Sequence, residues 1–186
     1  PGDLNVYGLP PLVGINLDEA AVLTFRSGRP VDSPQVLLNY ARVSREPWML
    51  KATVDEMGRA FTSGIMCVRP KGPKTSVLHL WALLNSPIAN AFAFCNTPRQ
   101  YIPQGTIQKM PVPRSSAAHL SLIEQAAMRY RTLATSPGPL YDGTATPEGI
   151  QRALLEMDAA VLRAYDLPPR LEHQLLNFFW GVERKG

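Results

Sequence analysis

The sequence predicts an α+β fold: a small, mostly antiparallel sheet with flanking helices, followed by a helical C-terminal region. Three observations predict it. Short β-prone runs at 21–25, 35–40, 48–54 and 60–68 alternate with Ser-Gly-Arg-Pro, Arg-Glu-Pro and Met-Gly-Arg punctuation. Beyond residue 116, apolar residues recur at helical spacing instead. Proline makes up 18 of the 186 residues, about double the usual ~5%, which favours short elements joined by fixed turns over one long bundle.

The elements follow in order. Residues 1–18, rich in Pro, Gly and Leu without a period, read as an irregular lead-in. After the strands comes a basic turn, Arg69-Pro70-Lys71-Gly72-Pro73-Lys74. Thr75 or Ser76 then caps a helix through residue 84, and Pro87 opens a second one through residue 94. The stretch TPRQYIPQGTIQKMPVPRSS, residues 97–116, reads as a rigid cationic segment, with Met110-Pro111-Val112-Pro113 as a hinge that closes the sheet and aims the next helix. In that helix Leu120, Ile123, Ala127, Tyr130 and Leu133 form one apolar stripe. Residues 136–146 read as a Pro/Gly linker. Thr146-Pro147-Glu148 is a helix start, with a capping residue, a proline at the first position and an acid in the first turn. Ile150, Leu154, Met157, Val161 and Ala164 make its stripe; Pro168-Pro169 breaks it, and Leu171, Leu175 and Phe178 mark a last helix ending near Gly181. The expected division is therefore 1–18 lead-in, 19–134 sheet-based domain, 135–146 linker and 147–186 helical region.

Composition narrows the function classes. At 45% apolar, 186 residues suffice for one full domain with its own core. The longest apolar runs fall well short of the roughly 20 residues of a membrane span. Cys67 and Cys95 lie far apart with no histidine at ligand spacing, so a reducing cytoplasm is the expected setting. The chain opens on Pro1 with no charged-then-apolar leader, and is expected to be a piece of something longer. Neither GxGxxG nor GxxxxGK[ST] occurs, Ser63 lacks a nucleophile elbow, and His79, His119 and His173 are solitary. Glu183-Arg184-Lys185 reads as a solvated run. Catalysis within this segment, and a cofactor or metal held by it, are not expected.

Charge is more informative than the net +4. Between Glu56 and Glu124 run 67 residues without a carboxylate, holding Arg59, Arg69, Lys71, Lys74, Arg99, Lys109 and Arg114. Such a span attracts polyanions, because each cation placed at a phosphate releases condensed counterions. Arginine forks onto guanine and glutamine onto adenine edges, while lysine mainly meets phosphate. Arg99, Gln100, Gln104, Gln108 and Lys109 place both kinds close together, with Tyr101 available to stack or to touch sugar. Flanking prolines lower the entropy lost when such a segment is ordered on DNA. The competing reading is that Ile102, Ile107, Met110 and Val112 simply pin a crossing segment to the core, with its polar residues solvated.

Trp81-Ala82-Leu83-Leu84-Asn85-Ser86-Pro87-Ile88-Ala89-Asn90-Ala91-Phe92, followed by Gln104-Gly105-Thr106-Ile107-Gln108-Lys109-Met110-Pro111-Val112-Pro113, resembles a signature of target recognition domains. These belong to N6-adenine DNA methyltransferases of restriction-modification systems and to the specificity subunits of type I systems. The tail from Ala153 to Pro169 is similar to the helical ending of the same methylase-like proteins, so the resemblance spans roughly residues 35 to 182. It implies a DNA-reading domain whose Arg69, Lys71, Lys74, Arg99, Gln100, Tyr101, Gln104, Gln108, Lys109 and Arg114 face double-stranded DNA. The Asn/Asp-Pro-Pro-Tyr motif and the glycine-rich S-adenosylmethionine loop are missing. The resemblance therefore implies that catalysis and S-adenosylmethionine belong to an upstream or separate methyltransferase or nuclease domain. The rival expectation is a protein-interaction domain whose helical tail docks a partner subunit.

Overall fold

A computed structural model of the chain describes residues 32–61, 64–72, 75–97, 100–135 and 146–184. Gln35–Asn39 forms the central strand, β1, between β2 (Ala52–Asp55) and β3 (Ile65–Val68), both antiparallel to it. Val36 faces Val54 on one side and Val68 on the other, which fixes the register of both pairings. All five β1 residues are buried, so their alternate side chains need cover on both faces. Beyond Asn39 the line of β1 continues to Ala41, where a single antiparallel bridge pairs it with Tyr101.

Two helices follow the sheet. Ser76 caps α1 (Val77–Asn85), its hydroxyl accepting from the His79 amide at 3.1 Å. Ser86 both ends α1, donating to the Leu83 carbonyl at 2.7 Å, and caps α2 (Pro87–Asn96), accepting from the Ala89 amide at 3.3 Å. Proline at the first position of α2 makes continuous helix impossible, and the axis turns by 59°. A short helix, α3 (Gln104–Gln108), leads to α4 (Ala117–Thr135), α5 (Pro147–Tyr165) and α6 (Pro169–Asn177). Thr146 caps α5 by accepting from the Gly149 amide at 3.0 Å, and Asp166 ends it in the left-handed region at φ 49°.

Helix α1 is the middle layer, packed on the sheet by one face and on α4 and α5 by another. Trp81 spans this layer: its indole N–H donates to the Ala52 carbonyl at 2.9 Å, and its ring stacks on Tyr130 at 5.9 Å. Leu154, Met157 and Val161 of α5 belong to the same hydrophobic core as Val36 and Leu38 of β1. The apolar stripe of α5 is thus used inside the molecule, against α4 and α1. Among the described residues no single helix is long and apolar enough to cross a membrane. The bent α1–α2 pair has the composition for it, but residues 81–90 are all buried in protein.

Several elements differ from expectation. The run at 48–54 becomes a strand only from Ala52, because the Met49 and Leu50 amides bond to the Asn90 side chain instead of a ladder, at 3.0 and 2.8 Å. The run at 60–68 becomes a strand only at Ile65. Within the stretch taken as a rigid segment, Pro103 opens α3, which turns Thr106 inward. The last helix stops at Asn177 and buries none of its residues, leaving Leu171 and Leu176 exposed. The run at 21–25 and the linker at 136–145 lie outside the described residues.

Candidate nucleic-acid interface

Two sets of amides meet the signature stretch, and they differ in what holds them. The asparagines are buried and fully occupied. Asn85 accepts from the Ala52 amide at 3.0 Å and donates to the Ala52 and Trp81 carbonyls, each at 3.1 Å. Asn90 accepts from two successive amides and donates to the Ser86 carbonyl at 3.1 Å. Asn39 adds a bond to the Met49 carbonyl at 2.9 Å and accepts from the Lys51 amide at 2.6 Å. Together they clamp residues 49–52 between sheet and helices. The Leu50 amide would otherwise be buried without a partner, while the Met49 amide and the Ala52 carbonyl also bond to the Pro47 carbonyl and the Trp81 indole.

The glutamines are exposed. Gln100, Gln104 and Gln108 have no side-chain hydrogen bond among the described residues, and Lys109 is exposed beside them. Their backbone is nonetheless fixed. The Arg42 amide donates to the Gln100 carbonyl at 3.1 Å, and the Ile102 amide donates to the Tyr40 carbonyl at 2.8 Å. Ile102 is fully buried, and Met110 is buried 8 residues later, so both ends are anchored. Tyr101, 51% exposed, stacks on Tyr40 with ring centroids 5.2 Å apart and planes 22° from parallel. Met110-Pro111-Val112-Pro113 is tied down by the Tyr165 hydroxyl, which donates to the Pro111 carbonyl at 2.6 Å; burial pushes that phenol well above its ordinary range. Ile102 and Met110 are buried and Ile107 half-buried, so they pin the segment, whereas Val112, expected to pin it with them, is 66% exposed because it lies past the last buried anchor; Gln100, Gln104, Gln108 and Lys109 are exposed.

The cations are divided between the two ends of the sheet. Because β3 runs antiparallel to β1, Val68 sits opposite Val36, whereas Tyr101 sits opposite Ala41. The two positions are five residues apart along the chain, with β1 ending at Asn39 and a bend at Tyr40 between them. Arg69 lies at the first end, its guanidinium forked onto Gln35 Oε1 at 3.1 and 2.9 Å, and exposed Lys71 follows it. Gln35 is buried and passes the contact on, donating to Asp55 at 2.8 Å. Burial pushes the adjoining Cys67 thiol up, with Arg69 opposing the shift. Gln100, Tyr101, Gln104, Gln108 and Lys109 lie toward the other end, and exposed Arg114 follows toward α4. Lys74 and Arg99 lie outside the described residues. Arg59 pairs with Asp55, but Arg69, Lys71, Lys109 and Arg114 form no salt bridge among the described residues.

Sequence reasoning missed Arg42 and Tyr40 and misread Arg184. Arg42 lies well before the acid-free span in sequence, over the Phe94 ring at 5.4 Å and backbone-paired to Gln100. Arg184, taken as part of a solvated run, is in fact inserted: it donates to Asp158 at 2.8 Å and to the Asn85 carbonyl at 2.6 Å, and lies over Trp48 at 4.5 Å. Nothing in Glu183-Arg184-Lys185 shows this, since Asp158 and Trp48 are remote in sequence. Burial pushes the Asp158 carboxyl up to about 6, against the pull of Arg184. Among the described residues no group of three His, Cys, Asp or Glu side chains could hold a metal ion.

No protein-family model and no curated protein matches the chain. A solved structure does. The Type IIL restriction-modification enzyme MmeI, in complex with DNA, is similar over 88% of this chain and 24% of its own, with a TM-score of 0.57 and 17% sequence identity. The two share a fold, and the chain spans about a quarter of that enzyme's length.

Proposed function

We propose that this chain is the DNA sequence-recognition module of a restriction-modification methyltransferase, positioning a catalytic domain that lies outside it. One observation carries the reading: an anchored, acid-free segment presents Gln100, Gln104, Gln108, Lys109 and Tyr101 outward, with no side-chain hydrogen bond to the described residues. The likeness to the fold of a restriction-modification enzyme in complex with DNA supports it. The glutamines and Tyr101 reach base edges and sugars, while Lys71, Lys74, Arg99, Lys109 and Arg114 meet phosphates and Arg69 frames the far end. Adenine N6 methylation, S-adenosylmethionine and any strand cleavage would come from the parent or a partner chain, in a cytoplasmic setting.

The test is fluorescence anisotropy of the chain with labelled duplexes at 50 and 200 mM salt. Affinity should fall steeply with salt. Replacing Lys71, Lys74, Arg99 and Lys109 by alanine should flatten the log–log slope by up to about 3.6, at ~0.9 per phosphate contact. Absence of salt-sensitive binding to any duplex would sink the proposal. A second reading, docking of a partner subunit, draws support from the exposed Leu171, Leu176 and Trp180, the last 86% exposed. Deleting residues 147–186 cannot test it, because α5 is part of the core. Leu176→Ser with Trp180→Ser can: loss of assembly in sedimentation, with DNA binding intact, would assign α6 that role.

A further inference from the structure

Helix α3 contains a glycine that nothing in the described chain requires. Gly105 is exposed, does not adopt the positive φ that Gly58 and Gly181 have, and a β-carbon placed on it would meet nothing within 4 Å. Its carbonyl accepts from the Lys109 amide at 3.2 Å, an ordinary helical bond. Glycine is less favourable than alanine by about 1 kcal/mol in a helix interior, and by less at the second residue of a five-residue helix, where Gly105 stands. Gly72 is equally open but sits in a bend, where a flexible backbone is commonplace.

The surroundings of Gly105 indicate what fills the space. Thr106 is buried and Ile107 half-buried, so α3 turns those two toward the protein. Gln104, Gly105, Gln108 and Lys109 are exposed, and the i, i+3, i+4 rule places them on one outward face. Gly105 therefore leaves bare main chain, open to solvent, on the face that carries two amides and a cation. The stacked ring of Tyr101 precedes it by four residues. From Gln100 to Arg114 the chain has no carboxylate, and this charge balance favours an anionic strand over a peptide or a second copy of the chain.

We propose that Gly105 is a close-approach point, where the sugar–phosphate backbone of one DNA strand lies directly against the α3 main chain. Lys109 then meets a phosphate, Tyr101 packs on a neighbouring sugar, and Gln104 and Gln108 are brought level with the groove. This rests on the DNA-recognition reading above and adds a contact made by the lack of a side chain. A β-carbon at 105 would hold the strand away, and a longer side chain would do so more.

The experiment uses the 186-residue chain, with Gly105→Ala and Gly105→Leu measured for thermal stability and for duplex affinity in parallel. Gly105→Ala should melt at the same temperature or a few degrees higher, while binding about tenfold more weakly; Gly105→Leu should bind more weakly still. Unchanged affinity in both variants, with the parent chain binding duplex normally, overturns the close approach and leaves the recognition reading intact. A drop in melting temperature for Gly105→Ala also overturns it, since the glycine would then serve the fold. If the parent chain binds no duplex, the recognition reading fails and this inference fails with it.

Discussion

The buried asparagines at the sheet–helix junction and the exposed glutamines of the 100–108 segment carry the same functional group in opposite settings. Asn39, Asn85 and Asn90 each bond main-chain groups 10 to 41 residues away in sequence and spend their remaining capacity on carbonyls two to five residues off. Gln100, Gln104 and Gln108 spend theirs on nothing among the described residues. A buried amide is worth having only when all its bonds are made, so the first set specifies the fold. An exposed amide on a fixed backbone exchanges water for a ligand at little cost in order, so the second is free to recognise one. Within one sequence signature, then, the apolar helical part builds the core and the polar part is left exposed.

Breaking the first set should have the largest effect. Asn90→Ala leaves the Leu50 amide buried and unpaired and takes one of two acceptors from the Met49 amide, which keeps the Pro47 carbonyl; this should cost about 2 kcal/mol in urea unfolding, at 1–3 kcal/mol per orphaned group. A loss below about 1 kcal/mol would mean that water replaces the side chain and that the clamp is not structural. Next comes the ion pair beside that clamp. The folded chain holds the Asp158 proton up to about 6, above the ordinary 3.8, so it binds that proton more tightly than the unfolded chain does. The associated stability is fully present below pH 3.8 and is lost as pH rises through about 6. Asp158→Asn should remove this downward slope between pH 4 and 6; parallel stability–pH curves for the two proteins would contradict the assignment. The smallest effect belongs to the glutamines. Gln104→Ala and Gln108→Ala should each change stability by less than about 0.5 kcal/mol while weakening duplex binding, and a larger destabilisation would erase the contrast.

The parts of the fold legible in the sequence were those governed by neighbours in the chain. Ser76, Pro87, and Thr146 with Pro147 place three helix starts by local hydrogen bonding and fixed φ. The stripes of α4 and α5 follow from period alone: Ile123, Ala127 and Tyr130 are buried on one helix, Leu154, Met157 and Val161 on the other. Long-range side-chain bonds were not legible. They shortened the strand at 48–54, because Asn90 takes its first amides. They also drew Arg184 inward from what reads as a charged tail. For the candidate interface, the residue types were visible but their distribution was not: antiparallel register sends Arg69 and Lys71 to the end of β1 away from Tyr101. Gly105 gave no signal, since a glycine among prolines and glutamines reads as ordinary turn chemistry.

The contact of Arg184 with the Asn85 carbonyl spans 99 residues, and that distance becomes time during synthesis. At about 5–20 residues per second, some 5–20 s pass between translation of the two partners. Throughout that interval the junction of α1 and α2 lacks the guanidinium that covers Trp48, and Asp158 itself precedes Arg184 by only 26 residues. The Trp48 face and the Asn85 carbonyl of the nascent domain thus stay uncovered until residue 184 arrives.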